Sequence, residues 1–179
     1  LTKLQVMLYY SDSTNTYNNW LQEILKNIDF TVEKYTEKVL NIAKSKFNEN
    51  NLSYPTISIF NLYFIDFLLW KLYKTEEVNE NLKSLKSKID NLKSQFNNFK
   101  FRQISSREHL FSQEHAKRYS IDEEVYNGIG NLCLISTSQN SAGNKENPTD
   151  KKKMFLNDNS SLKRLIMFES YENDKWEAA

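Results

Sequence analysis

The chain has 179 residues, and its 24 basic and 23 acidic side chains give a formal net charge of +1. This balance excludes binding to nucleic acid through overall charge, so such a partner would need a local basic patch. Only three glycines and two prolines are present, which argues against an all-β fold with many tight turns and favours helices. The single cysteine, Cys133, excludes an internal disulfide, and we expect it to be buried in a protein of the reducing cytoplasm.

Residues 1–98 are predicted to form a helical bundle. Apolar residues recur every three or four positions, the spacing of an amphipathic helix, in three stretches: residues 15–28, 31–47 and 77–96. Thr31 is a candidate N-cap for the second stretch. The third stretch carries lysines on its outer face, which we interpret as a solvated surface.

The most apolar stretch is residues 57–73. It contains Asn61, Asp66 and Lys71, and it is shorter than the roughly 20 apolar residues that cross a bilayer. We therefore expect a central core helix and no membrane partner.

The pattern changes after residue 98, where we predict a boundary between a helical subdomain, 1–98, and a second subdomain, 99–179. Residues 99–105 alternate apolar and polar side chains, which predicts a strand. A long polar loop, a second strand at residues 131–136 and a polar segment follow. Two short helices are predicted at the end, residues 160–169 and a helix beginning at Asp174. The second part is thus strand, long loop, strand and helix, with a small two-stranded antiparallel sheet.

Four polar side chains would converge if the two strands pair as a hairpin. Glu108 and His109 follow the first strand, Asn131 opens the second, and Asn140 lies nine positions further on. A carboxylate and a carboxamide oxygen suit a hard divalent cation, and a neutral imidazole can take a proton from water. The set is sufficient for metal-assisted hydrolysis of a phosphodiester.

Each of these residues also has an ordinary interpretation. Glu108 can be a solvent-facing acid, His109 a hydrogen-bonded loop histidine, and Asn131 a turn residue after Gly130. Asn140 can be a helix N-cap. Basic residues near the strands are candidates for contacts with phosphate groups, although a solvated surface explains them as well; they are Arg102, Arg107, Lys145, Lys151, Lys152 and Lys153.

The strings EHLFSQ (108–113) and IGNLCLISTSQNSAGNK (129–145), followed by a lysine run, resemble the HNH, or ββα-metal, endonucleases. Within that group they are most similar to the C-terminal nuclease domain of GmrSD-type modification-dependent restriction enzymes. Ser112 departs from the proline usual at its position. Asn140 replaces the histidine often found at the third HNH position, and asparagine suits Mg²⁺ better than Zn²⁺.

The resemblance implies a mainly α fold, with an N-terminal helical bundle, a ββα-metal core and C-terminal helices. It implies that His109 is the general base and that Asn131 braces the histidine or its loop. Glu108 and Asn140, with Asn144 as a substitute, would bind one divalent metal, Mg²⁺ or in its place Mn²⁺. The expected substrate is double-stranded DNA, including modified DNA.

We therefore expect a metal-dependent DNA endonuclease domain of a prokaryotic restriction and phage-defence enzyme. Because the sequence opens on Leu1 and ends without a stop signal for its last predicted helix, we expect a fragment of a larger protein. The resemblance implies a nucleotide-dependent sensor domain N-terminal to it, and a homo-oligomer is compatible with it. The alternative is a non-catalytic helical module with a degenerate HNH core that binds nucleic acid or protein.

Overall fold

The structure, a computed structural model, describes residues 1–11, 19–26, 31–143, 146–155, 157–172 and 175–176. These residues are mainly helical, as predicted, and two small antiparallel sheets, each of two strands, lie in the second half of the chain. None of the described helices has the length and apolar character needed to cross a membrane.

The described residues of the first half of the chain form six α-helices: α1 (Thr2–Ser11), α2 (Asn19–Leu25), α3 (Val32–Lys46), α4 (Ile59–Tyr73), α5 (Lys83–Asn91) and α6 (Lys93–Asn98). The predicted cap at Thr31 is confirmed, since its hydroxyl accepts a hydrogen bond from the backbone N–H of Lys34. Helix α4 is the central core helix that the apolar stretch predicts, and it contacts α1, α5 and elements of the second half. The single helix predicted over 77–96 is instead a 3₁₀ turn, Glu80–Leu82, followed by α5 and α6.

The strand predicted at residues 99–105 is wrong, because this segment has no partner strand. Phe99, Phe101 and Ile104 are buried, so the apolar alternation does reflect burial. However, the side chain of Tyr63 on α4 takes the place of a second strand. Its hydroxyl lies 2.7 Å from the carbonyl oxygen of Arg102 and accepts a hydrogen bond of 2.8 Å from the N–H of Ile104.

The first sheet, called the sheet below, consists of the antiparallel strands β1 (Ser106–His109) and β2 (Leu132–Ile135). Glu108 lies opposite Cys133, and His109 lies opposite Leu132. Successive side chains on a strand point to opposite faces. Glu108 and His109 therefore face different parts of the protein.

The connection from β1 to β2 is not an extended loop but contains α7 (Gln113–Arg118), α8 (Glu123–Asn127) and a 3₁₀ turn, Ile129–Asn131. Where the chain is described after the sheet, it forms three helices, α9 (Thr137–Gly143), α10 (Pro148–Phe155) and α11 (Leu162–Glu169). The last of these confirms the helix predicted at 160–169. The helix predicted from Asp174 is wrong where the chain is described, since β3 (Tyr171–Glu172) pairs with β4 (Lys175–Trp176).

The sheet is buried between two apolar clusters. Leu132 and Leu134 belong to the main cluster, which also contains residues of α1, α3, α4, α5 and α11. Cys133 and Ile135 belong to a smaller cluster with Phe155 of α10. The predicted boundary at residues 98 and 99 therefore does not coincide with a break in the main core. Cys133 is free and buried, as expected, and burial raises the pKa of its thiol to about 11.

Candidate active site

The end of strand β1 is the centre of the candidate site. Glu108 is almost fully buried and His109 is half-buried. The face that carries His109 and Arg107 lies against residues 54–57, which precede α4. The face that carries Glu108 lies towards α10. One short strand thus presents an imidazole and a carboxylate to two different environments, which departs from the predicted convergence of these side chains on one point.

His109 is held by a hydrogen bond and an aromatic contact. Its Nε2 lies 3.0 Å from Oδ1 of Asn127, the last residue of α8. The ring of Tyr54 meets the imidazole edge to face, with ring centroids 4.9 Å apart. Tyr54 is itself joined to α8, because its N–H donates to the carbonyl oxygen of Asn127 at 2.8 Å.

The partners of Asn127 determine which nitrogen of His109 carries the hydrogen. Nδ2 of Asn127 donates to the Glu123 carboxylate at 3.2 Å, so the other end of the carboxamide must be the oxygen. That oxygen accepts a bond of 2.9 Å from Nε2 of Gln113 and faces Nε2 of His109. The imidazole therefore donates from Nε2, and Nδ1 keeps its lone pair.

The surroundings of His109 favour its neutral form. Burial lowers the pKa of the imidazole, the hydrogen bond to Asn127 opposes this change, and the Lys151 ammonium lowers the pKa further. A neutral imidazole with an available nitrogen is the form that a general base requires.

Glu108 is paired with a buried lysine. Nζ of Lys151 lies 2.5 Å from Oε1 of Glu108 and donates to the carbonyl oxygen of His109 at 2.7 Å. Burial raises the pKa of Glu108, and the Lys151 ammonium opposes that rise. No described residue donates a hydrogen bond to the other carboxylate oxygen, Oε2.

Lys151 corrects a sequence prediction. It was expected on the surface, in contact with phosphate groups, but it is only 1% exposed and its ammonium is engaged by Glu108 and the end of β1. The signal in the sequence was the four-residue spacing from Lys151 to Phe155, which places both on the buried face of α10.

Asn131 braces the loop after His109, and its side-chain hydrogen bonds go to Phe111 and Tyr126. It is fully buried, and its side chain accepts from the N–H of Phe111 at 2.8 Å. It donates to the carbonyl oxygens of Phe111 at 2.9 Å and Tyr126 at 2.8 Å. Of the two predicted roles, the loop brace is the one that this geometry supports. The partner of the histidine is Asn127, which the sequence prediction missed.

Asn140 lies in the middle of α9, so the N-cap interpretation is wrong. The helix begins earlier: the Ser136 hydroxyl accepts from the N–H of Gln139 at 3.2 Å, and Oε1 of Gln139 accepts from the N–H of Ser136 at 3.2 Å. This reciprocal pair is a capping box. Helix α9 contacts β1, which brings the helix of Asn140 beside the strand of Glu108. Asn144 and Lys145 lie outside the described residues.

The remaining predicted basic residues are spread over several environments. Arg102 is exposed before β1. Arg107 is half-buried, and its guanidinium donates to the carbonyl oxygens of Pro55 and Ile57. Lys152 donates to the carbonyl oxygen of Phe168, and the exposed Lys153 pairs with Asp150. Their contact with DNA stays a prediction.

A divalent metal is compatible with the donors at this end of the sheet. Among the residues that the structure describes, no three His, Cys, Asp or Glu side chains form a metal-binding group. A site here would thus combine one carboxylate with neutral oxygens, and Oε2 of Glu108 and the carboxamide of Asn140 are of that kind. Mg²⁺ accepts such a set because it retains several water ligands.

Comparison with known proteins identifies the family of the chain. Residues 41–179 match the family described as GmrSD restriction endonucleases, C-terminal domain. The match crosses the boundary predicted at residues 98 and 99 and includes α4, Tyr54 and both strands of the sheet. No curated protein and no solved structure matches the chain significantly. The chain therefore belongs to the family of C-terminal domains of the GmrSD restriction endonucleases.

Proposed function

We propose that this chain is a metal-dependent DNA endonuclease domain of the HNH, or ββα-metal, type. The observation that carries the proposal is the Glu108–His109 pair at the end of β1, with a neutral histidine whose Nδ1 is left available by Asn127. Family membership supports the same activity. The order of β1, β2 and α9 supports the ββα assignment.

In the proposed reaction, Nδ1 of His109 removes a proton from a water molecule, and the resulting hydroxide attacks phosphorus. The bond from phosphorus to the leaving oxygen then breaks, and that oxygen takes a proton from solvent. Asn127 keeps Nε2 protonated and stabilises the imidazolium as it forms. Glu108 and Asn140, with Asn144 as a substitute, would hold one Mg²⁺, or Mn²⁺ in its place. The cation supplies positive charge at the phosphate and the leaving oxygen.

The proposed substrate is double-stranded DNA, including modified DNA, in a restriction and phage-defence enzyme of the cytoplasm. The name of the family supports a restriction role, and the single free cysteine suits a reducing compartment. Arg102, Arg107, Lys152 and Lys153, together with Lys145, are proposed to contact phosphates. We further propose that a nucleotide-dependent sensor domain on the N-terminal side selects the DNA, and that the enzyme can form a homo-oligomer.

The experiment that tests the proposal is nicking of supercoiled plasmid by the purified chain with Mg²⁺ or Mn²⁺, against EDTA. We expect metal-dependent nicking that falls by at least about 100-fold in His109→Ala, the loss typical of a general base. His115→Ala is the matched control. His115 is the other histidine of the chain, and its Nδ1 is hydrogen-bonded to the Ser112 hydroxyl at 2.7 Å. Equal nicking by wild type and His109→Ala would refute the proposed base.

A second candidate function is a non-catalytic module that binds nucleic acid or protein. The observation that favours it is the ion pair, since Glu108 already has a counter-charge in Lys151. For such a module, calorimetry should detect no binding of Mg²⁺ or Mn²⁺, and His109→Ala should leave DNA binding unchanged. Metal binding without nicking would instead point to the sensor domain as a required activator.

A further inference from the structure

Helix α10 contains three successive lysines, of which the first is buried, the second is half-buried and the third is exposed. The side chain of Lys151 is 2% exposed, whereas that of Lys153 is 73% exposed. A buried ammonium is costly unless it is paired and hydrogen-bonded. Lys151 meets this condition with two oxygens that both belong to the end of β1, Oε1 of Glu108 and the carbonyl of His109.

Both ends of α10 fix the position of this lysine. At its start, Oδ1 of Asn147 accepts from the N–H of Asp150 at 2.9 Å, and the carbonyl of Asn147 accepts from the N–H of Lys151 at 3.0 Å. At its end, Phe155 packs in the same cluster as Cys133, which lies directly opposite Glu108 on the sheet. The ammonium is therefore held against the carboxylate by the fold.

The contacts of Glu108 are divided between its two oxygens. Oε1 is occupied by Lys151, and Oε2 receives no hydrogen bond from a described residue. Because a carboxylate pinned at one oxygen has little freedom to rotate, the orientation of Oε2 is also fixed. Catalytic side chains depend on such support, since a misplacement of about 1 Å can cost about 100-fold in rate.

We propose that Lys151 is a positioning residue of the nuclease site, which holds Oε1 of Glu108 and the carbonyl of His109 so that Oε2 is directed to the divalent cation. This inference rests on the proposed function. The lysine also compensates the buried carboxylate in the absence of metal, so the site stays folded before the cation binds. It has a structural role and an orienting role, and the two predict different measurements.

The test compares Lys151→Met with Lys86→Met. Lys86 is a matched control, since its ammonium also binds a carboxylate, Asp90, at 2.8 Å and a backbone carbonyl, that of Tyr73, at 3.2 Å, but on α5. Thermal unfolding, calorimetric titration with Mg²⁺ and plasmid nicking at saturating Mg²⁺ are measured on each purified chain. We expect Lys151→Met to lower Tm by roughly 10 °C, because it leaves a buried charge unpaired, and Mg²⁺ to restore part of that loss.

At saturating Mg²⁺ and at a temperature where it is folded, Lys151→Met should nick plasmid at least about tenfold more slowly than wild type. Lys86→Met should nick like wild type. If Lys151→Met does not fold, Lys151→Arg replaces it. The arginine keeps the charge and changes the donor geometry, so we expect retained Mg²⁺ binding with the same slower nicking.

Two results would overturn the inference while the nuclease stands. If the folded Lys151 variant nicks plasmid as fast as Lys86→Met does, the Lys151–Glu108 pair has a structural role and no orienting role. Tighter Mg²⁺ binding together with faster nicking would make Lys151 a competitor of the cation. A wild-type chain that neither binds Mg²⁺ nor nicks DNA would instead overturn the proposed function, and this inference with it.

Discussion

The two faces of strand β1 hold their polar side chains by different means. On one face, the hydrogen bond and the ring contact of His109 come from neutral groups, a carboxamide from Asn127 and a ring from Tyr54. On the other, a full positive charge from Lys151 meets Glu108. Burial lowers the pKa of the imidazole and favours its neutral form, whereas the Lys151 ammonium opposes the rise that burial causes in the pKa of Glu108 and favours the ionised carboxylate. Two neighbouring residues thus reach the opposite states that a base and a metal ligand need.

The two faces also depend on different parts of the chain. The histidine is supported by residue 54, before α4, and by α8 in the β1–β2 connection. The glutamate is supported by α10, after the sheet. The family match includes residue 54, α8 and α10 together with both strands of the sheet. Substitutions in each region should therefore disturb one face more than the other.

The largest effect is expected from Asn131→Ala, because Asn131 braces the loop that follows β1, the strand that carries both Glu108 and His109. The change leaves buried backbone groups of Phe111 and Tyr126 without partners. We expect the free energy of unfolding in urea to fall by about 3 kcal/mol. Asn97→Ala is the control, since Asn97 is exposed and its side chain accepts a hydrogen bond from the Tyr73 hydroxyl. Similar losses in the two variants would contradict the role of Asn131.

Asn127→Ala should damage the histidine face alone. Loss of the group that orients a catalytic histidine typically costs 10- to 100-fold, so we expect about that reduction in plasmid nicking, with Mg²⁺ binding unchanged. Asn127→Asp should move the acidic limb of the pH–rate profile to higher pH, because a carboxylate beside His109 stabilises the imidazolium. Gln113→Ala, which removes the other donor to Asn127, should have a smaller effect on nicking. An unshifted profile in Asn127→Asp would separate Asn127 from the base.

Asp66 tests what a buried carboxylate does when no described lysine or arginine forms a direct ion pair with it, as Lys151 does with Glu108. Its Oδ1 accepts from the N–H of Lys163 at 2.6 Å and from the Ser161 hydroxyl at 3.3 Å. Burial raises its pKa from 3.8 to about 7. Because the folded protein binds this proton more tightly than the unfolded chain does, the stability it contributes is complete below pH 4 and is lost as the pH rises through 7.

The free energy of unfolding of the wild type should therefore fall by on the order of 2 kcal/mol between pH 5 and pH 8. In Asp66→Asn this fall should be absent. The measurement is urea unfolding of both proteins at the two pH values. Asp90→Asn, at an exposed carboxylate on α5, serves as the control. If wild type and Asp66→Asn lose stability in parallel over this range, Asp66 does not carry the shifted proton.

The smallest effect is expected at Tyr54, which touches the histidine only through its ring. Tyr54→Ala should reduce plasmid nicking a few-fold, because an aromatic contact contributes about 1 kcal/mol. Tyr54→Phe keeps the ring and should nick like wild type. A loss in Tyr54→Phe as large as that in Tyr54→Ala would mean that the hydroxyl, not the ring, supports the site.

Local patterns predicted the fold well wherever the chain itself supplies the partners. Helix α3 is predicted by the cap at Thr31 and by helical spacing, and β2 is predicted by a short apolar run. The structure confirms both elements. Residues 99–105 alternate like a strand, but a side chain of α4, Tyr63, satisfies their backbone. Alternation of apolar and polar residues indicates which side chains are buried. It does not indicate which groups form hydrogen bonds with the backbone. This is why β1 was placed before its true position, Ser106–His109.

The candidate site was predictable only in part for the same reason. Glu108 and His109 are adjacent in the sequence, and the structure keeps them together at the end of β1. Asn127 lies 18 residues from its histidine, within a segment without any periodic pattern, so the sequence carries no local sign of that contact. The sequence prediction places Lys151 on the surface, because a run of three lysines usually indicates an exposed segment. Its spacing from Phe155 was the weaker signal and the correct one.

The most direct test of the account is calorimetric titration of Mg²⁺ into wild type, Glu108→Gln and His109→Ala, with plasmid nicking measured on the same samples. If the two faces have separate roles, Glu108→Gln loses both metal binding and nicking. His109→Ala keeps metal binding close to that of wild type and loses nicking. Metal binding and nicking that persist in Glu108→Gln, or metal binding that disappears in His109→Ala, would contradict the division of roles between the two faces of β1.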